Sequence, residues 1–140
     1  MAYLFDASSV VTIVLGRGNA DDTIDALFDE HVLDLTRYEA GNAIRKLGLV
    51  RNELSDSAMA DAIDILDRLE RELIIERPTG VETMDVARET GLTVYDAAYL
   101  AVARRDALTL VTEDSALREA AGQRGVSTAW VDTLEQDRSG

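Results

Sequence analysis

Ala2-Tyr3-Leu4-Phe5-Asp6-Ala7-Ser8 is a short apolar run that stops on an acid, with a small residue and a hydroxyl directly behind it. A run of this kind reads as a strand buried on both faces, the habit of strands in parallel sheets. In such a sheet the carboxyl end of a central strand faces the binding crevice. Asp6 therefore marks where a site would lie.

Outward from this strand, helical and extended patterns alternate. Ser8 to Leu15 reads as a helix, ended by the turn Gly16-Arg17-Gly18-Asn19. A second helix is expected over Asp22 to Asp29 and a short strand over His31 to Leu35. Thr36 then opens a helix running to about Val50, and Thr36-x-x-Glu39 has the capping-box pattern. Ser55 or Ser57 caps the next helix, in which Met59, Ala62, Ile63, Leu66, Leu69 and Leu73 form a buried stripe at helical spacing. Leu73-Ile74-Ile75 reads as a strand. Helices over Val81 to Thr90 and Tyr95 to Arg105 lead to a strand over Leu108 to Thr112. A helix over Ser115 to Gln123 and a strand over Ser127 to Val131, holding Trp130, complete the order. Trp130 reads as sheet core or a dimer contact. Strands alternating with helices through short connections predict a three-layer α/β/α fold with a mostly parallel central sheet. One domain over residues 1–132 is expected, with a polar tail over 133–140.

Composition narrows the chemistry. The 140 residues are 46% apolar, enough for one packed core. Cysteine is absent, so disulfides and thiolate metal sites are excluded. His31 is the only histidine, is expected to be structural or exposed, and cannot build a zinc site alone. Any resident metal must then be a hard ion on oxygen ligands. No apolar run is long enough to span a bilayer, and the first is broken by Asp6, so a cytoplasmic protein is expected.

Four acids stand in the contexts that count. Asp6 ends the first strand, Glu39 lies in the first turn of a helix, Asp96 opens another, and Asp114 follows a strand and precedes a helix. Each also reads as a helix cap, and the two readings are compatible, because a helix N-terminus stabilises a carboxylate by up to about 1 kcal/mol. Brought together, however, the acids repel. Two carboxylates about 6 Å apart repel by roughly 3 kcal/mol at an effective dielectric near 20. A cluster of four must either take up protons or hold a cation.

These stretches resemble the acidic motifs of the PIN-domain nucleases, and most closely the VapC toxins of type II toxin–antitoxin pairs. The resemblance rests on Asp6-Ala7-Ser8, on Leu33-Asp34-Leu35-Thr36-Arg37-Tyr38-Glu39-Ala40-Gly41-Asn42-Ala43, on Tyr95-Asp96-Ala97-Ala98-Tyr99 and on Thr112-Glu113-Asp114. It implies that Asp6, Glu39, Asp96 and Asp114 hold one or two Mg²⁺ or Mn²⁺ ions and cleave single-stranded RNA, leaving 5′-phosphate and 3′-hydroxyl ends. It implies supporting roles for Ser8, Asn42 and Thr112, a VapB-like antitoxin as partner, and a homodimer. Lys46, on the helix face of Glu39, is the first candidate for the RNA backbone; Arg17, Arg104 and Arg105 are others. Glu113 is expected to face solvent, and Tyr95 and Tyr99 to pack.

Two other readings compete: a PIN-type RNA-processing nuclease without antitoxin, and a non-catalytic acidic binding protein whose four acids are only caps. A haloacid-dehalogenase-type phosphatase would want a second Asp where Ser8 stands. A response regulator would want an acidic pair and a late lysine, which are not apparent.

The formal net charge of −13 opposes a polyanionic substrate at low salt. A salt-rich host would reconcile the two, since the Debye length at molar salt is roughly 3 Å. The expected outcome is a melting temperature that rises steeply from low salt to molar salt; full stability at low ionic strength would rule this out.

Overall fold

In parallel sheets every strand points the same way, and the crossover helices must cover both faces. The computed structural model describes residues 2–16, 27 and 29–134 and has this arrangement. The described elements are β1 (Tyr3–Phe5), α1 (Ala7–Gly16), β2 (His31–Leu33), α2 (Thr36–Arg45), α3 (Asp56–Glu72), β3 (Ile74–Glu76), α4 (Gly80–Thr90), α5 (Val94–Asp106), β4 (Thr109–Val111), α6 (Ser115–Gln123) and β5 (Thr128–Ala129). Arg17, most of the expected 22–29 helix and most of the polar tail lie outside the described residues.

The sheet is parallel throughout, in the order β3-β2-β1-β4-β5. From β1 the chain steps to β2 and β3, then crosses back to β4 on the other side of β1. The point where the winding reverses lies between β1 and β4, where Tyr3, Leu4 and Phe5 pair with Thr109, Leu110 and Val111. Open sheets bind ligands at the carboxyl ends of strands beside such a reversal. Asp6 follows β1 and Thr112 follows β4, so both stand there.

Alternation along the strands divides the core. Leu4, Leu33 and Leu110 pack against α4, α5 and α6, whereas Phe5, Val32 and Val111 pack against α1, α2 and α3. Helix α5 is buried along Ala97 to Ala103 without a break, and its alanines let neighbouring elements approach closely. The result is a three-layer α/β/α domain.

Local signals explain most boundaries. Ser55 accepts a hydrogen bond from the Ala58 N–H and caps α3. Thr79 and Glu82 form a full capping box on α4, which ends at Gly91 with φ 74°. The capping box expected at Thr36 and Glu39 does not form: Thr36 Oγ1 is taken by the Leu33 N–H at 3.0 Å, and α2 starts without a side-chain cap. Within the α3 stripe, Ala62, Leu66 and Leu69 are buried, but Ile63 is exposed. Trp130 is not sheet core either; it stands half exposed just past β5.

The expected long second-motif helix changes character at its end. After Arg45 it runs on as a π-helical turn over Lys46–Val50, closed by the Arg51 N–H on the Lys46 carbonyl at 2.9 Å. Gly48 lets this turn lie directly on α3, because a Cβ there would stand 2.0 Å from Met59 Sδ and 2.6 Å from its Cγ. Gly48→Ala is therefore expected to destabilise the domain by roughly 1–3 kcal/mol through overpacking. Met59→Ala in the same chain should recover part of that loss, a non-additivity that a denaturant double-mutant cycle measures.

Candidate active site

Asp6 is held from three directions. Its backbone N–H donates to the Val111 carbonyl at 3.2 Å, carrying the β1–β4 pairing one residue past the strands. Its carboxylate is nearly buried, at 5% exposure. Oδ1 accepts from Ser8 Oγ at 2.7 Å and from the Ser9 N–H at 2.9 Å, and Oδ2 accepts from Thr112 Oγ1 at 2.5 Å. Asp6 thus caps α1 and belongs to a polar cluster at once. Burial raises its pKa above the ordinary carboxyl value, against the opposing pull of the Thr112, Ser9 and Ser8 hydrogen bonds.

The two hydroxyls each serve as donor and acceptor. Ser8 and Thr112 each give their single proton to Asp6, so each is left as an acceptor. Ser8 Oγ accepts the Glu113 N–H at 3.0 Å and Thr112 Oγ1 accepts the Asp114 N–H at 3.0 Å. These bonds set the loop between β4 and α6. Asp114 then caps α6, accepting from the Ala116 and Leu117 N–H groups at 2.9 and 3.3 Å.

Glu39 is oriented by a chain of hydroxyls. Tyr99, buried in α5, donates its phenol to Glu39 Oε1 at 2.8 Å. Its oxygen accepts from Thr36 Oγ1 at 2.8 Å, which in turn accepts the Leu33 N–H. Burial, then the charges of Asp96 and Asp6, raise the Glu39 pKa, while the Tyr99 hydrogen bond lowers it. Burial and the neighbouring Glu39 carboxylate also push the Tyr99 phenol well up, so it stays a donor.

Asp96 is different. Thr93, not Asp96, caps α5, and the Asp96 carboxylate accepts no hydrogen bond among the described residues. Its pKa is raised by burial and by the charges of Asp114 and Asp6. Mutual electrostatic influence links all four acids: Glu39 with Asp96 and Asp6, and Asp96 with Asp114 and Asp6. The chain thus brings them into one anionic region, and among the described residues no ion pair neutralises them.

A hard divalent cation fits this donor set: every candidate ligand is oxygen, and three of the carboxyls are disfavoured as anions where they stand. No three acids or histidines among the described residues are close enough to enclose an ion alone.

An open cleft of about 510 Å³ adjoins the acids, lined among others by Ser8, Glu39, Asn42, Lys46 and Glu113. Lys46 stands there without an acidic partner among the described residues. Asn42 Oδ1 accepts from Arg45 Nε at 3.0 Å. Glu113, expected to face solvent, instead lines the cleft and accepts the Val131 N–H at 2.9 Å, tying the site to the end of β5. Arg104 is not brought to the cleft: it pairs with Glu89 at 3.2 Å, beside Leu108, Thr109 and Ser127 at the opposite end of the sheet. Arg105 is engaged by Glu76, Glu82 and Asp106. His31 bonds Glu76 through Nδ1 at 3.0 Å, a structural contact as expected.

Sequence reasoning missed Arg118. Its Nη2 donates to the Thr112 carbonyl at 2.6 Å, and its guanidinium carbon lies 3.6 Å from the centre of the Trp130 ring. The available signal was spacing, since Arg118 is one helical turn past Asp114. Tyr99 was read as packing; the donor role of its phenol became visible only with Glu39 opposite it.

The PIN domain family model matches residues 3–123. The chain is 35% identical over 115 residues to Exonuclease VapC9 of Pyrobaculum aerophilum, covering 82% of each chain. It is 27% identical over 125 residues to Ribonuclease VapC3 of the same organism, covering 85% of this chain and 94% of that one. The crystal structure of PAE2754 from Pyrobaculum aerophilum superposes with a TM-score of 0.79 at 32% identity, covering 100% of this chain and 91% of that one. With its acids on one anionic crevice of a parallel sheet, the chain is a VapC-type member of the PIN-domain nuclease family.

Proposed function

We propose that this protein is a Mg²⁺- or Mn²⁺-dependent endoribonuclease acting as a VapC-like toxin, held in check by a VapB-like antitoxin and working as a homodimer. The observation that carries the reading is the convergence of Asp6, Glu39, Asp96 and Asp114 on one anionic region, beside an open cleft that Glu39 lines. The relatives, Exonuclease VapC9 and Ribonuclease VapC3, support nuclease chemistry. No helix among the described residues is long and apolar enough to cross a membrane.

One or two ions held by Asp6, Glu39, Asp96 and Asp114 would supply charge neutralisation at the scissile phosphate and a more acidic water. The protein's own groups divide the remaining work. Asp6, with both oxygens hydrogen-bonded, is an anchor. Asp96, with none, is free to orient water and accept its proton, and its raised pKa suits a base. Lys46 meets a phosphate of the bound strand across the cleft. Water oxygen bonds to phosphorus as the bond to the 3′-oxygen breaks, leaving a 5′-phosphate and a 3′-hydroxyl.

The name Exonuclease VapC9 favours a second reading, attack from a strand end. A covalently closed circle of single-stranded RNA separates the two. Cleavage of the circle in Mg²⁺, abolished by chelation and restored by Mn²⁺, is the expected result; cutting of linear RNA alone would establish the exonuclease. Asp6→Asn should lower the rate by about 10²–10⁴-fold or more, and unchanged metal-dependent cleavage by that variant would end the mechanism.

The same residue governs stability. A carboxyl whose folded-state pKa lies above its unfolded value binds more protons when folded, so stability falls as pH rises through that interval. For Asp6 the interval begins at the ordinary value of 3.8 and ends at its raised folded value. Metal-free wild-type protein should therefore lose stability relative to Asp6→Asn as pH rises across it, with the variant the more stable at neutral pH. Paired thermal melts in chelator give the difference, and added Mg²⁺ should shrink it.

A further inference from the structure

Among the described residues three aromatic rings are exposed, Tyr38, Tyr95 and Trp130, and all three stand at the carboxyl end of the sheet. Tyr38 directly precedes Glu39 in the first turn of α2, and Tyr95 directly precedes Asp96 in the first turn of α5. Trp130 follows β5, and Arg118, one turn past Asp114, lies against its ring. The other described rings, Tyr3, Phe5 and Tyr99, are packed against the core. Exposed rings at the end of the sheet that bears the acids offer stacking faces to a strand bound there.

Charge indicates what the rings meet. A protein of net charge −13 gains little from gripping phosphates. Arg37 is taken by Asp67 and Glu70, Arg104 by Glu89, and Arg105 by three acids. Around the cleft Lys46 stands without an acidic partner among the described residues. Bases, in contrast, offer uncharged faces that stack on any ring regardless of net charge. Trp130 is the best prepared of the three. One side is covered by a guanidinium that also holds the Thr112 carbonyl, so the indole is fixed while half of it stays exposed. In a chain rich in acids this guanidinium is spent on a ring and a carbonyl, with Nε buried and without a partner among the described residues.

We propose that Trp130, braced by Arg118, together with Tyr95 and Tyr38, is a stacking platform for unpaired bases flanking the scissile phosphate. The protein thereby grips RNA by its bases rather than its backbone and selects single strands, whose base faces are free. This rests on the ribonuclease reading above.

Trp130 is the only tryptophan, so its fluorescence reports the contact directly. With Asp6→Asn protein, a short unpaired RNA oligomer should quench it saturably, and a duplex of the same sequence should not. The slope of log affinity against log salt should be about −1 or shallower, the release expected from a single phosphate contact. By anisotropy of a labelled oligomer, Trp130→Ala should weaken binding by roughly five- to a hundred-fold, with Trp130→Phe recovering most of it. An oligomer with abasic positions should lose the same factor on protein that keeps Trp130, which removes any question of folding. Unchanged affinity in Trp130→Ala, equal quenching by duplex, or a steep salt slope would overturn the platform. So would loss of antitoxin binding alone, which would make the rings a protein contact. If wild-type protein still cuts RNA in Mg²⁺ under any of those outcomes, the nuclease reading stands without the platform. If wild-type protein neither binds nor cuts RNA, both fall.

Discussion

The hydrogen bond from Thr112 to Asp6 crosses the reversal point of the sheet, and most of the site depends on it. A carboxylate this deeply buried loses hydration worth several kcal/mol unless donors replace it. Ser8, the Ser9 amide and Thr112 replace it from both sides of the crevice. Because the two hydroxyls have only one proton each, they meet the backbone as acceptors, taking the N–H groups of Glu113 and Asp114. The loop after β4 is therefore shaped by Asp6, and that loop sets where Asp114 caps α6. Arg118 closes the circuit by holding the Thr112 carbonyl from the far side. Every link is short in space although Asp6 and Thr112 are far apart in sequence.

The parallel sheet supplies what such a cluster needs. Asp6 and Asp114 cap α1 and α6, and Glu39 and Asp96 lie in the first turns of α2 and α5. Each helix N-terminus favours an anion by up to about 1 kcal/mol, and these helices begin beside the same crevice. This lessens the repulsion among four acids without cancelling it, which is why burial and neighbouring charge still raise three of the carboxyl pKa values. The continuous buried run of α5 fixes Tyr99 and Asp96 in place against that repulsion. A site under internal strain of this sort is the usual place where stability yields to function.

The elements that sequence discloses here are those with strong local signals. Ser115 to Gln123 was readable to the residue because Asp114 caps it, and the Val81 helix was one residue short at its start because the Thr79 and Glu82 box was overlooked. The four acids stand out in the sequence because each ends or opens an element. The capping box at Thr36 was misread because its hydroxyl is claimed by Leu33 and Tyr99, partners that only tertiary packing brings near. The sheet-core reading of Trp130 fails because a hydrophobic strand end looks alike whether a sheet neighbour or an arginine covers it. The π turn at Lys46 has no pattern of its own; Gly48 marks it, yet the reason lies in Met59 on another helix. Arg104 and Lys46 are equivalent as charges in the sequence, and the ion pair of one with Glu89 is a fact of distance alone.

These pairings also change what the net charge means. The arginines on the outer helices are matched by surface acids, so the bulk of the excess is solvated and open to screening by salt. The acids of the crevice are neither matched nor well hydrated, and salt reaches them less easily. A polyanion approaching the molecule therefore meets two obstacles of different kinds. The outer one weakens with ionic strength; the inner one persists until a cation occupies the crevice. On the metal-dependent reading proposed above, uptake of the cation precedes uptake of the substrate. On the same reading, Lys46 and the exposed rings then meet a single strand that the surface charge would otherwise turn away.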